Sequence, residues 1–239
     1  MPIEEENSIR QKIADPSPRK TARMAGLFYL IFILTTVLAT SIRDRFIVSG
    51  DAAATANNII SSQGLFRVGF VTELVSATFF VLAAWALYVL LKPVNKNLAL
   101  LLLVLNLGGV AVECLNALNL YAALQFLSGA NYLTAFQPSQ LQALAMSSLD
   151  LYTNGFLLTQ IFFSAWLLPL GYLVYKSRSL PKFLGLLLIL DFFGNMSWFL
   201  QGFLLPDYKI LAYPGNAISF IAEISLTVWL LIMAVKEQK

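Results

Sequence analysis

Six apolar runs, each long enough to cross a bilayer as a helix, constrain this chain more than any other feature. Crossing ~30 Å of hydrocarbon takes about 20 helical residues, and runs of that order cover 24–42, 66–91, 98–127, 151–175, 183–205 and 215–235. Composition agrees, with 58% apolar and only 12% charged residues over 239 positions, far from the balance of a soluble domain. The expected fold is all-α, a six-helix transmembrane bundle over 24–236. A polar tail, 1–23, precedes it and a short end, 237–239, follows.

Three breaks between runs carry turn signals: Lys92-Pro93 with Asn95-Lys96-Asn97, Ser177 to Lys182, and Pro206-Asp207 through Tyr213-Pro214-Gly215-Asn216. Two connections, 43–65 and about 128–150, are too long for turns. The first offers Ser49-Gly50-Asp51 as a helix start before AAATANNIISS. The second offers Pro138-Ser139 before QLQALAMSSL, with Leu141, Leu144, Ala145 and Leu149 on one face. Each predicts a short amphipathic helix on the outer face, either a lid over a pocket or a connector at the interface.

Lysine and arginine concentrate on the cytoplasmic side of membrane proteins. Placing the amino terminus inside puts twelve of the sixteen basic residues inside and leaves Arg43, Arg45, Arg67 and Lys209 outside. Both termini are then cytoplasmic, and the protein is a multi-pass protein of the plasma (inner) membrane. The first run is followed by Arg43-Asp44-Arg45 without an A-x-A pattern, so it reads as a retained helix and not a cleaved signal.

Several chemistries lack their machinery. There is no histidine, and Cys114 is the single cysteine, which removes an intrachain disulfide and the usual haem and catalytic-zinc ligands. No G-x-x-x-x-G-K-[ST], H-E-x-x-H or G-x-S-x-G occurs. No cofactor is expected, and the net charge of +3 lies largely where topology places it, so nucleic acid is not an expected partner. The bilayer is.

Within the spans stand four carboxylates, Glu73, Glu113, Asp191 and Glu223, against one base, Arg67, at the outer edge. One pairing cannot offset four acids. The others must hold a proton, bind a cation or meet water, unless each donates a hydrogen bond to a neighbouring carbonyl.

Helical spacing gathers polar groups around them. Asn106, Gly109, Glu113 and Asn116 share a face of the third span, extended by Asn119. Asp191, Asn195, Trp198 and Gly202 line the fifth, and Asn216, Ser219, Glu223 and Thr227 the sixth. Gly69, Glu73 and Ser76 form a weaker stripe on the second, headed by Arg67. The fourth carries Asn154, Gln160 and Ser164, with Pro169 as a kink. The first is almost purely apolar, which predicts a peripheral, lipid-facing helix. For the asparagines, helix-to-helix packing is an equal alternative.

Four segments, ARMAGLFYLIFI, GLFRVGFVTELVSA, LPLGYLVYKSRSLPKFLG and EISLTVWLLIM, together resemble the bacterial and archaeal multi-pass membrane proteins of domain-of-unknown-function family 4386. The resemblance covers about 20–236, and GYLVYKSRSLPKFLG is its most specific element. It implies a six-helix membrane domain and supplies no reaction, ligand or catalytic residue.

From the residues, the expected function is that of a small transporter or ligand-binding membrane protein with an acid-lined cavity open to the outside, for a cation, a proton or a small polar solute. Glu113 and Glu223 would be its central acids, with Asn116 beside Glu113, Glu73 and Arg67 an outer gate pair, and Asp191 with Asn195 the inner end. The alternatives are an accessory membrane protein whose polar residues only hold helices together, and an intramembrane enzyme using a carboxylate pair. A bundle this small leaves a homodimer open.

Overall fold

A computed structural model describes residues 17–232. Most of the tail assigned to 1–23, and all of 237–239, lie outside the described residues. The helices are α1 (Pro18–Asp44), α2 (Ala52–Ser61), α3 (Gln63–Leu91), α4 (Lys96–Asn116), α5 (Leu118–Phe126), α6 (Pro138–Ala165), α7 (Leu167–Lys176), α8 (Lys182–Leu204) and α9 (Tyr213–Ile232). Short 3-10 turns occupy Asn131–Ala135 and Lys209–Ala212, and no strand occurs among the described residues.

Six helices are long and apolar enough to cross a membrane. The third span is α4 with α5 and the fourth is α6 with α7, each interrupted at a single residue, Ala117 and Trp166. The second interruption has a clear cause, since Pro169 offers no N–H to Ala165 and its ring crowds that carbonyl.

Local sequence sets the helix ends. The Ser17 hydroxyl accepts from the Lys20 amide and Pro18 sits in the first turn of α1; Asn95 accepts from the amides of Asn97 and Leu98 at 3.1 Å to start α4. Between α7 and α8, the Ser177 hydroxyl donates to the Val174 carbonyl at 3.0 Å and accepts from the Leu180 amide at 3.2 Å, closing the turn.

The spans pack in chain order around a ring: α1 on α3, α3 on α4, α4 on α6, α6 on α8, α8 on α9, and α9 back on α1. Close approach of α8 and α9 depends on paired glycines: a Cβ on Gly215 would lie 2.5 Å from the Gly194 carbonyl oxygen, and one on Gly194 would lie 2.9 Å from the Gly215 Cα.

The ring is filled at one end and hollow toward the other. The filled end is a core of Tyr29, Phe80, Leu87, Trp166, Leu170, Leu184, Leu188, Leu226 and Leu230. Its upper surface is aromatic, with Phe32 stacked on Phe80 at 4.1 Å between ring centroids and Trp166 edge-on to Phe80 at 5.1 Å. The opposite end, capped here by α2 and both 3-10 turns, has its own cluster around Phe46, Ile59, Phe66, Leu124, Leu149 and Tyr152.

Two sequence expectations change. The first span does turn a broad apolar side outward, with Leu27, Leu34, Val37 and Leu38 exposed, yet its other face belongs to the ring: Ala22, Ala25 and Tyr29 are fully enclosed, and α1 packs against α3 and α9. Its polar contribution is made of hydroxyls and a terminal arginine, which leave its average character apolar. The second connecting segment also does not stand alone. The Gln137 side chain accepts from the third helical residue's amide and Gln140 returns the bond to the Gln137 amide at 2.9 Å. The helix begun there runs without interruption to Ala165. The first connector does form its own helix, with Asp51 accepting from the Ala54 amide at 2.8 Å.

Candidate functional site

The hollow half holds two adjoining chambers. One, of about 470 Å³, lies between α1, α3, α4 and α6 and is lined by Thr36, Thr40, Arg43, Glu73, Ser76, Glu113, Tyr152, Phe156 and Trp198 among others. The second, of about 300 Å³, sits over the aromatic floor and is lined by Phe32, Phe80, Glu113, Gln160, Phe163, Trp166, Asn195, Ser219 and Glu223 among others. Thr36, Glu113, Phe156 and Trp198 belong to both walls. A third recess of about 320 Å³, toward Lys209 and Asn216, meets the others at Trp198.

At the capped end a three-residue cluster ties α1, α3 and α6 together. The Arg43 Nη1 donates to the Tyr152 hydroxyl at 2.8 Å, that hydroxyl donates to the Glu73 Oε1 at 2.7 Å, and Arg43 Nη1 lies 3.8 Å from Glu73 Oε2. Arg43 also lies over the Tyr152 ring, 4.9 Å from its centroid. Glu73 is therefore both ion-paired and hydrogen-bonded. Its partner differs from the one expected from sequence: Arg67 is exposed on α3 and makes no ion pair with Glu73. The reason is helical phase. Arg67 stands six residues before Glu73, about 120° around the helix from it, whereas Thr36, Thr40 and Arg43 follow one another along the inward face of α1.

Glu113 is different. It is 9% exposed, and its Oε2 is enclosed without a hydrogen-bond partner. Three residues on, the Asn116 amide donates to the Tyr152 carbonyl at 2.8 Å and its oxygen accepts from Asn119 at 3.0 Å. Gly155 makes room for it, since a Cβ there would fall 2.0 Å from the Asn116 Oδ1. Asn116 thus ties α4 to α6 and is not in the wall of either chamber.

Asp191 is fully enclosed. Its Oδ1 accepts from the Asn195 amide at 2.8 Å and from the Ser219 hydroxyl, while Asn195 also donates to Ser219 at 3.0 Å. The knot joins α8 to α9 directly beneath the Gly194–Gly215 contact. Asn195 and Ser219 face the floor chamber, with Asp191 behind them and its Oδ2 unpartnered. Glu223, one turn below Ser219, lines that chamber itself. The enclosed Tyr29 hydroxyl lies beside it without meeting hydrogen-bond geometry.

Of the residues proposed from sequence, Glu73 and Glu113 line one chamber and Glu113, Glu223 and Asn195 the other. Asp191 and Asn116 stand behind the walls, and Arg67 is outside. Arg43, Tyr152 and Tyr29 join the site without a signal in the hydropathy pattern: Arg43 follows the end of the first apolar run, and the tyrosines rank with the apolar residues. Among the described residues no group of three or more His, Cys, Asp or Glu is placed to hold a metal ion.

Six apolar spans in a ring, with polar side chains turned to a hollow interior, define a multi-pass helical membrane protein. The chain belongs to the family described as Domain of unknown function (DUF4386), whose model matches residues 24–234. It is similar to an uncharacterized protein of Archaeoglobus fulgidus, 31% identical over 157 residues, which make up 64% of this chain and 75% of that relative. No solved structure matches.

Proposed function

We propose that this is a ligand-binding membrane protein of the small-transporter kind, whose hollow half takes a positively charged or proton-bearing solute from the capped side. The observation that carries the reading is Glu113 Oε2, enclosed and unpartnered in the wall common to both chambers. A carboxylate is costly in such surroundings and persists where it has a task. Glu113 and Glu223 are the binding acids. Glu73, held by Arg43 and Tyr152, forms the rim, and Asp191 with Asn195 fixes the α8–α9 wall.

The capped side is the outer face of the plasma membrane in this reading. Arg43, Arg45, Arg67 and Lys209 lie there, while Arg19, Lys20, Arg23, Lys92, Lys96, Lys176, Arg178 and Lys182 collect at the filled end, which the positive-inside rule assigns to the cytoplasm.

Purified protein in detergent, melted in the presence of sodium, potassium, magnesium, ammonium and small amines at fixed ionic strength, tests the reading. At least one of them raises the Tm of wild type and fails to raise that of Glu113→Gln. No shift with any of them, or equal shifts in both proteins, rejects it. A second reading, an accessory protein whose polar residues only join helices, draws on the Asn116–Tyr152 bond and the Asp191–Asn195–Ser219 knot. It predicts no ligand-dependent shift.

A further inference from the structure

The two chambers differ in the charge they leave open. In the first, the Glu73 carboxylate already faces Arg43 and Tyr152. In the second, no base among the described residues lines the wall, and two acids, Glu113 and Glu223, look onto it. The acids of the hollow that no base faces are therefore those over the aromatic floor.

Those walls are unlike a divalent-metal site. Such an ion needs several oxygens converging within about 2.0–2.6 Å, and among the described residues no group of three or more acids is placed for that; the chamber instead sets two carboxylates and the polar groups of Thr36, Gln160, Asn195, Asn216 and Ser219 among aromatic rings. Phe32 and Phe80 are stacked at 4.1 Å, Phe80 lies 5.2 Å from Phe163, and Phe156 lies 5.9 Å from Trp198. Ring faces attract a desolvated organic cation, and a nearby carboxylate supplies the charge that a quadrupole alone cannot. Volumes of about 300 and 470 Å³ match a small organic molecule bound by apolar walls and a few polar groups.

The route in fits the same chemistry. Phe220 lines the floor chamber and is also 66% exposed on α9, so the chamber wall reaches the surface that meets hydrocarbon. A ligand with an apolar body can therefore approach from the bilayer as well as past the capped rim.

We propose that the ligand is a lipophilic organic ammonium ion, its charged nitrogen against Glu113 beside the Phe156–Trp198 pair and its apolar body over the Phe32–Phe80–Phe163 floor. This rests on the cation-binding reading above and narrows its ligand class.

The test uses benzyltrimethylammonium, its neutral carbon isostere neopentylbenzene, and tetramethylammonium, which keeps the charge and lacks the aromatic body. Binding to the full-length protein in nanodiscs is followed by equilibrium dialysis, with protein-free nanodiscs subtracted for partition into lipid. Benzyltrimethylammonium binds saturably, at least tenfold more tightly than either comparison compound. Glu113→Gln loses at least tenfold, and Phe156→Leu, which keeps an apolar side chain there, loses several-fold. Should Glu113→Gln fail to fold, Glu223→Gln replaces it with the same expectation.

Equal binding of neopentylbenzene would overturn the proposal by showing a cavity that reads shape alone. Equal binding of tetramethylammonium, unaffected by Phe156→Leu, would overturn it while leaving a cation-binding protein in place. If neither ammonium compound binds saturably, the lipophilic ammonium class is rejected, and the melting series with inorganic cations then decides separately whether the broader reading stands.

Discussion

Arg43 and Glu73 stand 3.8 Å apart across the gap between the end of α1 and the second span, with the Tyr152 hydroxyl hydrogen-bonded to both. The first, second and fourth spans meet at this point over the larger chamber. Because α1 and α6 are not neighbours in the ring, the Arg43–Tyr152 bond spans the hollow, while the Arg43–Glu73 pair adds to the α1–α3 contact.

Removing the cation exposes that dependence. Arg43→Met should destabilise the bundle by roughly 2 kcal/mol, below the ~3–5 kcal/mol that deleting one member of a fully buried pair costs, because the Arg43 side chain keeps 19% exposure. Adding Glu73→Gln should recover part of the loss, with a coupling of about 1 kcal/mol. Unfolding by denaturing detergent, measured for both single variants and the double variant, checks this. Additive losses would mean that the two side chains do not interact.

The acids should separate by role. Asp191→Ala leaves Asn195 and Ser219 without their shared acceptor, at a cost of about 1–3 kcal/mol. Glu113→Gln deletes no protein hydrogen bond of the enclosed Oε2 and should change stability by within about 1 kcal/mol. The comparison is made by melting both variants without ligand. If Glu113→Gln melted as low as Asp191→Ala, Glu113 would be a structural acid and the accessory reading would gain.

The α8–α9 contact should tolerate no side chain. On Gly194 and Gly215 alike a Cβ meets backbone, within 3 Å, and backbone cannot rotate away. Gly215→Ala should cost about 1–3 kcal/mol as an overpacking change. It should also weaken the Asn195–Ser219 bond beneath it. Ser219→Ala in the Gly215→Ala background should then cost less than Ser219→Ala alone, a difference that a double-mutant cycle reads.

The parts of this architecture that were legible in the sequence are those with a period. Asn106, Gly109, Glu113 and Asn116 all prove buried on one face of α4, because a polar residue in a span must turn from lipid and three- and four-residue steps keep it there. Asp51 announced α2 by its cap. Arg43 was not legible, because hydropathy ends the first run at Ile42 while the helix continues to Asp44, carrying the arginine inward. Tyr29 and Tyr152 were hidden by chemistry, as each counts as apolar while the Tyr152 hydroxyl bonds Glu73 and the Tyr29 hydroxyl lies enclosed beside Glu223. That Asp191 stands behind Asn195 depends on the rotation of α8 against α9. Spacing along one helix does not carry that information.

Topology and hollow can be read together by cysteine labelling, since Cys114 is exposed and is the chain's single cysteine, so Cys114→Ser supplies a background free of thiols. In intact cells a membrane-impermeant maleimide should label Asp51→Cys, on the first connector, and leave Arg178→Cys, on the turn between α7 and α8, unlabelled until the cells are opened. The reverse pattern would turn the protein over. Within the bundle, a small positively charged thiosulfonate should modify Ser76→Cys, which lies in the wall of the larger chamber, and should spare Asn106→Cys, which is fully enclosed away from both chambers. Because the reagent is a cation in water, its reaction at position 76 requires both an aqueous path from the capped side and a site that accepts positive charge. Protection of Ser76→Cys by benzyltrimethylammonium would further place that ligand in or above the same hollow.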